Sequence, residues 1–143
     1  MDNSIPAAIC RYLKKQHVLS LCAGTPPWCA NCFYVFNEQQ QVFWLMSDAA
    51  TRHGMLMQAQ PLVAGTINGQ TRSPMLIKGV QYQGVIVRLA GEQASRARSA
   101  YIRRFPIAAS AQAPLWEIAI RELKMTDNTL GFGSKLRWQH ESV

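Results

Sequence analysis

From Leu115 to Met125 the chain reads Leu-Trp-Glu-Ile-Ala-Ile-Arg-Glu-Leu-Lys-Met. Apolar and polar residues alternate. Successive side chains of a strand point to opposite faces, so this run predicts a strand with one face buried and one in water. The residues on either side of it look the same. His17 to Ala23, Trp28 to Phe36, Gln41 to Ser47 and Leu62 to Ile67 are all apolar runs of strand length. Met75 to Leu89 is longer, and its Gly79 and Gly84 allow a bulge or sharp bend as a sheet curls. Gly24-Thr25-Pro26-Pro27 predicts a turn, and Asn37-Glu38-Gln39-Gln40 a polar hairpin connection. Asn68 to Pro74 reads as a surface loop. The glycine-punctuated segment around Gly131 and Gly133 leads to Leu136-Arg137-Trp138. Gly131 and Gly133 read as a tight turn, because a lone G-x-G outside a strand–helix unit is a weak phosphate signal.

Three helices interrupt the strands. Ile5, Ala8, Ile9, Tyr12 and Leu13 follow helical spacing, with Asn3 or Ser4 as cap, Pro6 in the first turn and Lys14-Lys15 in the last. A short helix from about Ala49 to Ala59 takes Asp48 as its cap and Met55, Leu56 and Ala59 as its buried face. Glu92 to Phe105 carries Ala94, Ala97, Tyr101 and Ile102 on one side and is stopped by Pro106. The order contains no strand–helix–strand rhythm. It predicts an α+β, mainly β fold: six or seven antiparallel strands in a small barrel, as one domain over residues 1–143.

Fifteen Lys and Arg stand against eight Asp and Glu, a net charge of +7. The excess favours an anionic partner: a phosphorylated cofactor, nucleic acid or an acidic surface. No basic run exceeds two residues, and a scattered excess is weaker evidence for nucleic acid than a stripe. The first twenty residues lack the apolar core of a secretory signal, and no apolar run approaches the roughly 20 residues that span a bilayer. The expected setting is soluble and cytoplasmic, away from membranes.

Cys29-Ala30-Asn31-Cys32 is formally a C-x-x-C. A redox dithiol of that spacing opens a helix, where the dipole stabilises the thiolate. Here the flanking residues read as strand, and positions i and i+3 then face opposite ways. Cys10 and Cys22 supply no second pair for a tetrahedral metal. All four cysteines are expected to be buried or half-buried free thiols, with no metal site.

The stretch from Val42 to Gln58 is the candidate site. A strand feeds a helix through Ser47-Asp48, and Thr51-Arg52-His53 opens the helix. A helix N-terminus carries unpaired N–H groups and partial positive charge, so Arg there is misplaced unless an anion joins it. A phosphate is the expected anion. The bland alternative is a solvated helix start, since surface arginine is common. Phe33, Tyr34, Phe43 and Trp44 read first as core or interface aromatics, and His17 and His140 as structural or solvated.

Six segments together resemble the FMN-binding split-barrel superfamily, of which pyridoxamine 5′-phosphate oxidase is the best-known member, and within it the YhbP-type branch. They are Trp28–Asn31, Thr51–His53, Val63–Thr66, Lys78–Gln81, Tyr101–Pro106 and Thr126–Gly133. The resemblance to that branch covers nearly the whole chain; to the oxidase itself it is limited to the barrel core. It implies a homodimer with FMN in clefts between subunits and a flavin-dependent oxidoreductase activity on an unspecified substrate. Thr51, Arg52 and His53 fall on the family's hydroxyl–Arg–Lys phosphate motif, with His53 in place of the common Lys. Met46 and Ser47 fall where the strand end meets the flavin. Asn31, Cys32, Phe33 and Tyr34 fall on the strand along the ring. Lys78, Gln81 and, from the tail, Trp138 with Lys135 would face the cofactor from the other subunit. The alternatives are a non-catalytic barrel that binds haem, another flavin-like ligand or nothing, and, third, nucleic-acid binding through the basic surface.

Overall fold

The computed structural model describes residues 2–141. Three α-helices and seven strands follow in the order α1 (Ala7–Lys15), β1 (Val18–Ala23), β2 (Trp28–Asn37), β3 (Val42–Met46), α2 (Arg52–Ala59), β4 (Leu62–Asn68), β5 (Lys78–Arg88), α3 (Gly91–Arg104), β6 (Leu115–Asp127) and β7 (Lys135–Gln139). All pairings are antiparallel. The strand order is β3-β2-β1-β4-β5-β6-β7, and β3 also pairs with β6, which closes a six-stranded barrel. The mainly β, α+β barrel expected from the alternation is the fold observed.

β6 is the spine of the closure. Its first part, Leu115 to Ala119, pairs with β3, and its second part, Glu122 to Thr126, pairs with β7 on the same side. At the change-over, the Ile120 N–H donates to the Gln41 carbonyl (3.1 Å) and the His140 N–H to the Arg121 carbonyl (2.8 Å). The alternation of β6 slips there too. Trp116, Ile118 and Ile120 face the core on one side of Arg121, and Leu123, Met125 and Asp127 on the other. The cause is a β-bulge: the β5–β6 register shifts between Gln83 and Gly84, so Arg121 is the extra residue. Gly84 sits opposite, where a Cβ would lie 2.5 Å from the Ala119 carbonyl oxygen.

The barrel is filled from every strand, with Leu21, Tyr34, Phe43, Ile67, Ile86 and Trp116 nearly inaccessible to solvent. Phe43 packs edge-on against both Tyr34 and Tyr82, ring centroids 5.3 Å apart in each pair. β3 is apolar throughout because both its faces are covered. Phe43 and Leu45 face the barrel, while Val42, Trp44 and Met46 lie under α3 with Ala97 and Tyr101.

Three local expectations are corrected. α1 starts on Pro6 with no side-chain cap, because the Asn3 amide donates to the Gln139 carbonyl (3.2 Å) and the Ser4 hydroxyl is taken by Asp2. Met75 and Leu76 belong to a 3-10 turn, Pro74–Leu76, capped by the Ser73 hydroxyl, so the long strand begins only at Lys78. α2 starts at Arg52 rather than Ala49. Asp48 is occupied by a turn: its side chain accepts from the Ala50 N–H (2.8 Å) and its carbonyl from the Thr51 hydroxyl (2.8 Å). Thr51 is the cap, accepting from the Gly54 N–H at 3.1 Å. The later start turns Gly54 and Met57 inward and leaves Met55 62% exposed and Ala59 on the surface.

Candidate functional site

β2 outruns β3. β1 pairs with Trp28 to Phe33, whereas β3 pairs on the other side only with Tyr34 to Asn37. The N–H of Tyr34 donates to the carbonyl of His17, its opposite number, at 3.0 Å. Hydrogen-bonded and non-bonded pairs alternate in an antiparallel ladder. Even-numbered β2 residues therefore bond toward β1, and the backbone groups of Cys29, Asn31 and Phe33 point the other way. The Tyr101 hydroxyl reaches the Phe33 carbonyl (3.3 Å). Cys29 and Asn31 have no ladder partner on that edge among the described residues. A notch of unpaired strand edge results.

The β3–α2 connection borders the notch. Extending the β2–β3 register past Leu45 and Tyr34 brings Ser47 level with Cys32. Ser47 is fixed on three sides. Its N–H donates to the Pro114 carbonyl (3.1 Å), its carbonyl accepts from the Trp116 indole (2.9 Å), and its hydroxyl lies 2.7 Å from His53 Nε2. The Thr51 hydroxyl is 3.4 Å from the same nitrogen. Burial pushes the His53 imidazole below its usual value, so the ring is neutral at pH 7 and adds a hydrogen-bonding group but no charge.

Arg52 supplies the charge. Its guanidinium lies 3.9 Å from the centroid of the Trp28 ring at the head of β2. Such stacking holds the planar group flat and leaves its N–H edge open. Among the described residues Arg52 has no ion pair, and α2 has no acidic residue in its first turn. The backbone N–H groups of Arg52 and His53 have no partner among the described residues, as expected of the first turn of a helix. The guanidinium, the two free N–H groups and the helix dipole all belong to the start of α2. That donor set fits a phosphate monoester.

The other predicted residues lie in three places. Asn31 is exposed on the outer face of the sheet, and Phe33 is 53% exposed at the margin of α3, 5.2 Å from the Phe105 ring. Cys32 and Tyr34 face the barrel core. Burial drives the Cys32 thiol to about 11, and the Tyr34 hydroxyl donates to the Leu13 carbonyl. Met46 is half-buried under α3. Trp138 is packed in the core, its indole donating to the Asn3 carbonyl at 3.0 Å. The nearby Lys135 is exposed at the start of β7.

Lys78 stands exposed at the start of β5, 4.0 Å from Asp127. Gln81 completes a polar row across the outer face. Asn31 is opposite Ser20, the Ser20 and Thr66 hydroxyls are 2.7 Å apart, and Thr66 is opposite Gln81. Lys78 and Gln81 line a cleft of roughly 450 Å³ with Thr66 and Asn68. Within the chain this cleft is separate from the notch. The free edge at Cys29 and Asn31 depends on where β3 stops relative to β2.

No family model matches the chain. UPF0306 protein plu4501 of Photorhabdus laumondii is 53% identical over 131 residues, which cover 90% of this chain and 92% of that one. The chain belongs to the UPF0306 family. Solved structures place the family's fold. A haem-binding protein from Mycobacterium smegmatis superposes with a TM-score of 0.75 at 18% identity, over 94% of this chain but only 59% of that longer one. A putative pyridoxamine 5′-phosphate oxidase from Listeria innocua gives 0.67 at 13% identity, over 82% and 94% of the two chains. A FAD-binding protein from Mesorhizobium loti gives 0.63 at 13%, over 84% and 93%. At these identities the likeness is one of fold: this UPF0306 chain is a split barrel of the pyridoxamine 5′-phosphate oxidase type.

Proposed function

We propose that the chain binds FMN with its phosphate at the start of α2, and that it is an FMN-dependent oxidoreductase. The observation that carries the reading is Arg52: an exposed guanidinium, stacked on Trp28, without a carboxylate partner among the described residues, at a helix start with free N–H groups. Thr51 shapes the turn, and His53 holds Ser47 beside the phosphate. The free N–H and C=O groups of Cys29 and Asn31 form an edge that suits the alternating donors and acceptors of an isoalloxazine ring. Asn31 lies three residues, roughly 10 Å, along β2 from Trp28. Bound there, FMN would supply hydride and electron transfer, and the protein orientation and electrostatics. Phe33 offers the ring an apolar neighbour. Lys78 and Gln81 would reach the cofactor from a second copy of the chain. Flavin-binding and haem-binding proteins share this fold, and the phosphate-shaped donor set favours the flavin.

An absorbance spectrum of the purified protein, followed by FMN titration of flavin-free protein, tests the reading. Flavin bands and saturable binding are expected. Arg52→Ala removes a charge-assisted pair of about 1.5–3 kcal/mol, which corresponds to roughly a 10- to 100-fold weaker FMN affinity. A folded Arg52→Ala variant with unchanged affinity overturns the phosphate assignment. A Soret band in place of flavin bands, or no chromophore and no response to added FMN, overturns the cofactor.

A further inference from the structure

The C-x-x-C spacing pairs the wrong cysteines. Cys32 faces the barrel core and Cys29 the solvent, so they cannot approach each other. The β1–β2 register instead sets Cys22 directly opposite Cys29. The alternation anchored by the Tyr34–His17 hydrogen bond makes Leu19/Cys32, Leu21/Ala30 and Ala23/Trp28 the bonded pairs. Cys22/Cys29 is consequently a non-hydrogen-bonded pair. At such a site the opposed Cα atoms approach to about 4.5 Å and the side chains lean together. A disulfide needs Cα atoms roughly 4.4–6.8 Å apart. The fold thus supplies disulfide geometry without moving the backbone, on the outer face, where Cys29 is exposed and Cys22 half-buried.

We propose that Cys22 and Cys29 form a reversible cross-strand dithiol/disulfide pair, oxidised by low-molecular-weight disulfides. The Cys29 thiolate attacks a small disulfide RSSR, forms a mixed disulfide and releases RS⁻. Cys22 then loses its proton and attacks the Cys29 sulfur, closing the protein disulfide and releasing the second RS⁻. Two protein thiols are oxidised and one RSSR is reduced to two RSH, the two thiol protons ending on the released thiolates. Access assigns the order, since the exposed sulfur is attacked first and the half-buried one resolves. The neighbouring Cys29 thiol raises the Cys22 value, in keeping with Cys22 as the later nucleophile. Cys10 and Cys32 are buried and stay out of the exchange.

The test exposes the whole folded chain to oxidised glutathione and titrates thiols after denaturation. The four thiols are expected to fall to two, with the loss of two hydrogens mapped by fragmentation to Cys22 and Cys29. Cys22→Ser stalls at the first step and retains a glutathione adduct on Cys29. Cys29→Ser stays unmodified. Both variants exchange sulfur for oxygen outside the core, and mapping of the wild-type chain needs no variant at all. A wild-type chain that keeps four thiols, accumulates a stable glutathione adduct, links two chains together, or loses Cys10 or Cys32 overturns the proposal.

Discussion

At the scale of single residues, His53 is the most informative side chain. Its Nε2 is 2.7 Å from the Ser47 hydroxyl, and burial lowers its affinity for a proton. The unfolded chain then binds a proton on His53 more readily than the folded chain does, so stability rises with pH across this window. The wild type is expected to hold its full stability above the ordinary histidine value of 6.5 and to lose part of it as pH falls from there through the folded value. His53→Gln keeps a polar group and removes the titration. Melting curves from pH 8 to pH 5 should show a shallower acid loss in the variant, and identical pH profiles would disprove this role. Position told much about these residues in advance. Arg52 at a helix start without an acidic neighbour was readable from the sequence because it is a matter of local electrostatics. The clamp of His53 on Ser47 was not, because it follows from the Asp48 turn that delays the start of α2 to Arg52. The Cys22–Cys29 pairing was hidden too, because spacing along a chain says nothing of register across a ladder.

At the scale of elements, β4 crosses β1 more closely than ordinary side chains allow. Ser20 replaces part of the ladder, its hydroxyl accepting from the Thr66 N–H at 2.8 Å. A Cβ on Gly65 would lie 1.9 Å from the Ser20 carbonyl oxygen and 2.7 Å from the Tyr82 hydroxyl. The first of these is backbone and cannot step aside. Gly65→Ala is expected to cost about 3 kcal/mol, the upper end for overpacking, and to lower the melting temperature by several degrees. An unchanged melting temperature would refute the close crossing. Strands and helices were legible as elements, since alternation and 3.6-residue spacing report directly on burial. Their ends were less so. Asp48 looked like a cap but serves a turn, and Pro74 diverts Met75 and Leu76 from the strand. The bulge was anticipated at a glycine, yet the extra residue is Arg121 on the facing strand, visible in retrospect as a one-residue slip in the alternation of Leu115–Met125.

At the scale of the whole molecule, the barrel leaves an outer face that does not look finished. Val18 and Phe33, opposite each other in the ladder, stand 37% and 53% exposed on it beside the Asn31–Ser20–Thr66–Gln81 row. Exposed apolar side chains grouped on one sheet face mark an interaction surface. A second copy of the chain is the expected partner, and light scattering should report twice 16.0 kDa at micromolar concentration. A stable monomer would leave Lys78 and Gln81 without a route to the notch. The architecture was legible because six strands without strand–helix–strand rhythm must close antiparallel. The notch was not, because it depends on unequal strand lengths in a closed sheet. The double duty of β6 has a further result. The seam between Val42–Met46 and Leu115–Ala119 joins segments separated by about half of the chain, and such non-local pairings form late and slowly. During synthesis β1, β2 and β3 leave the ribosome as a meander with a bare edge. They have to wait for β6 before that edge is covered, so the growing chain, rather than the finished barrel, is where this protein is most exposed to aggregation.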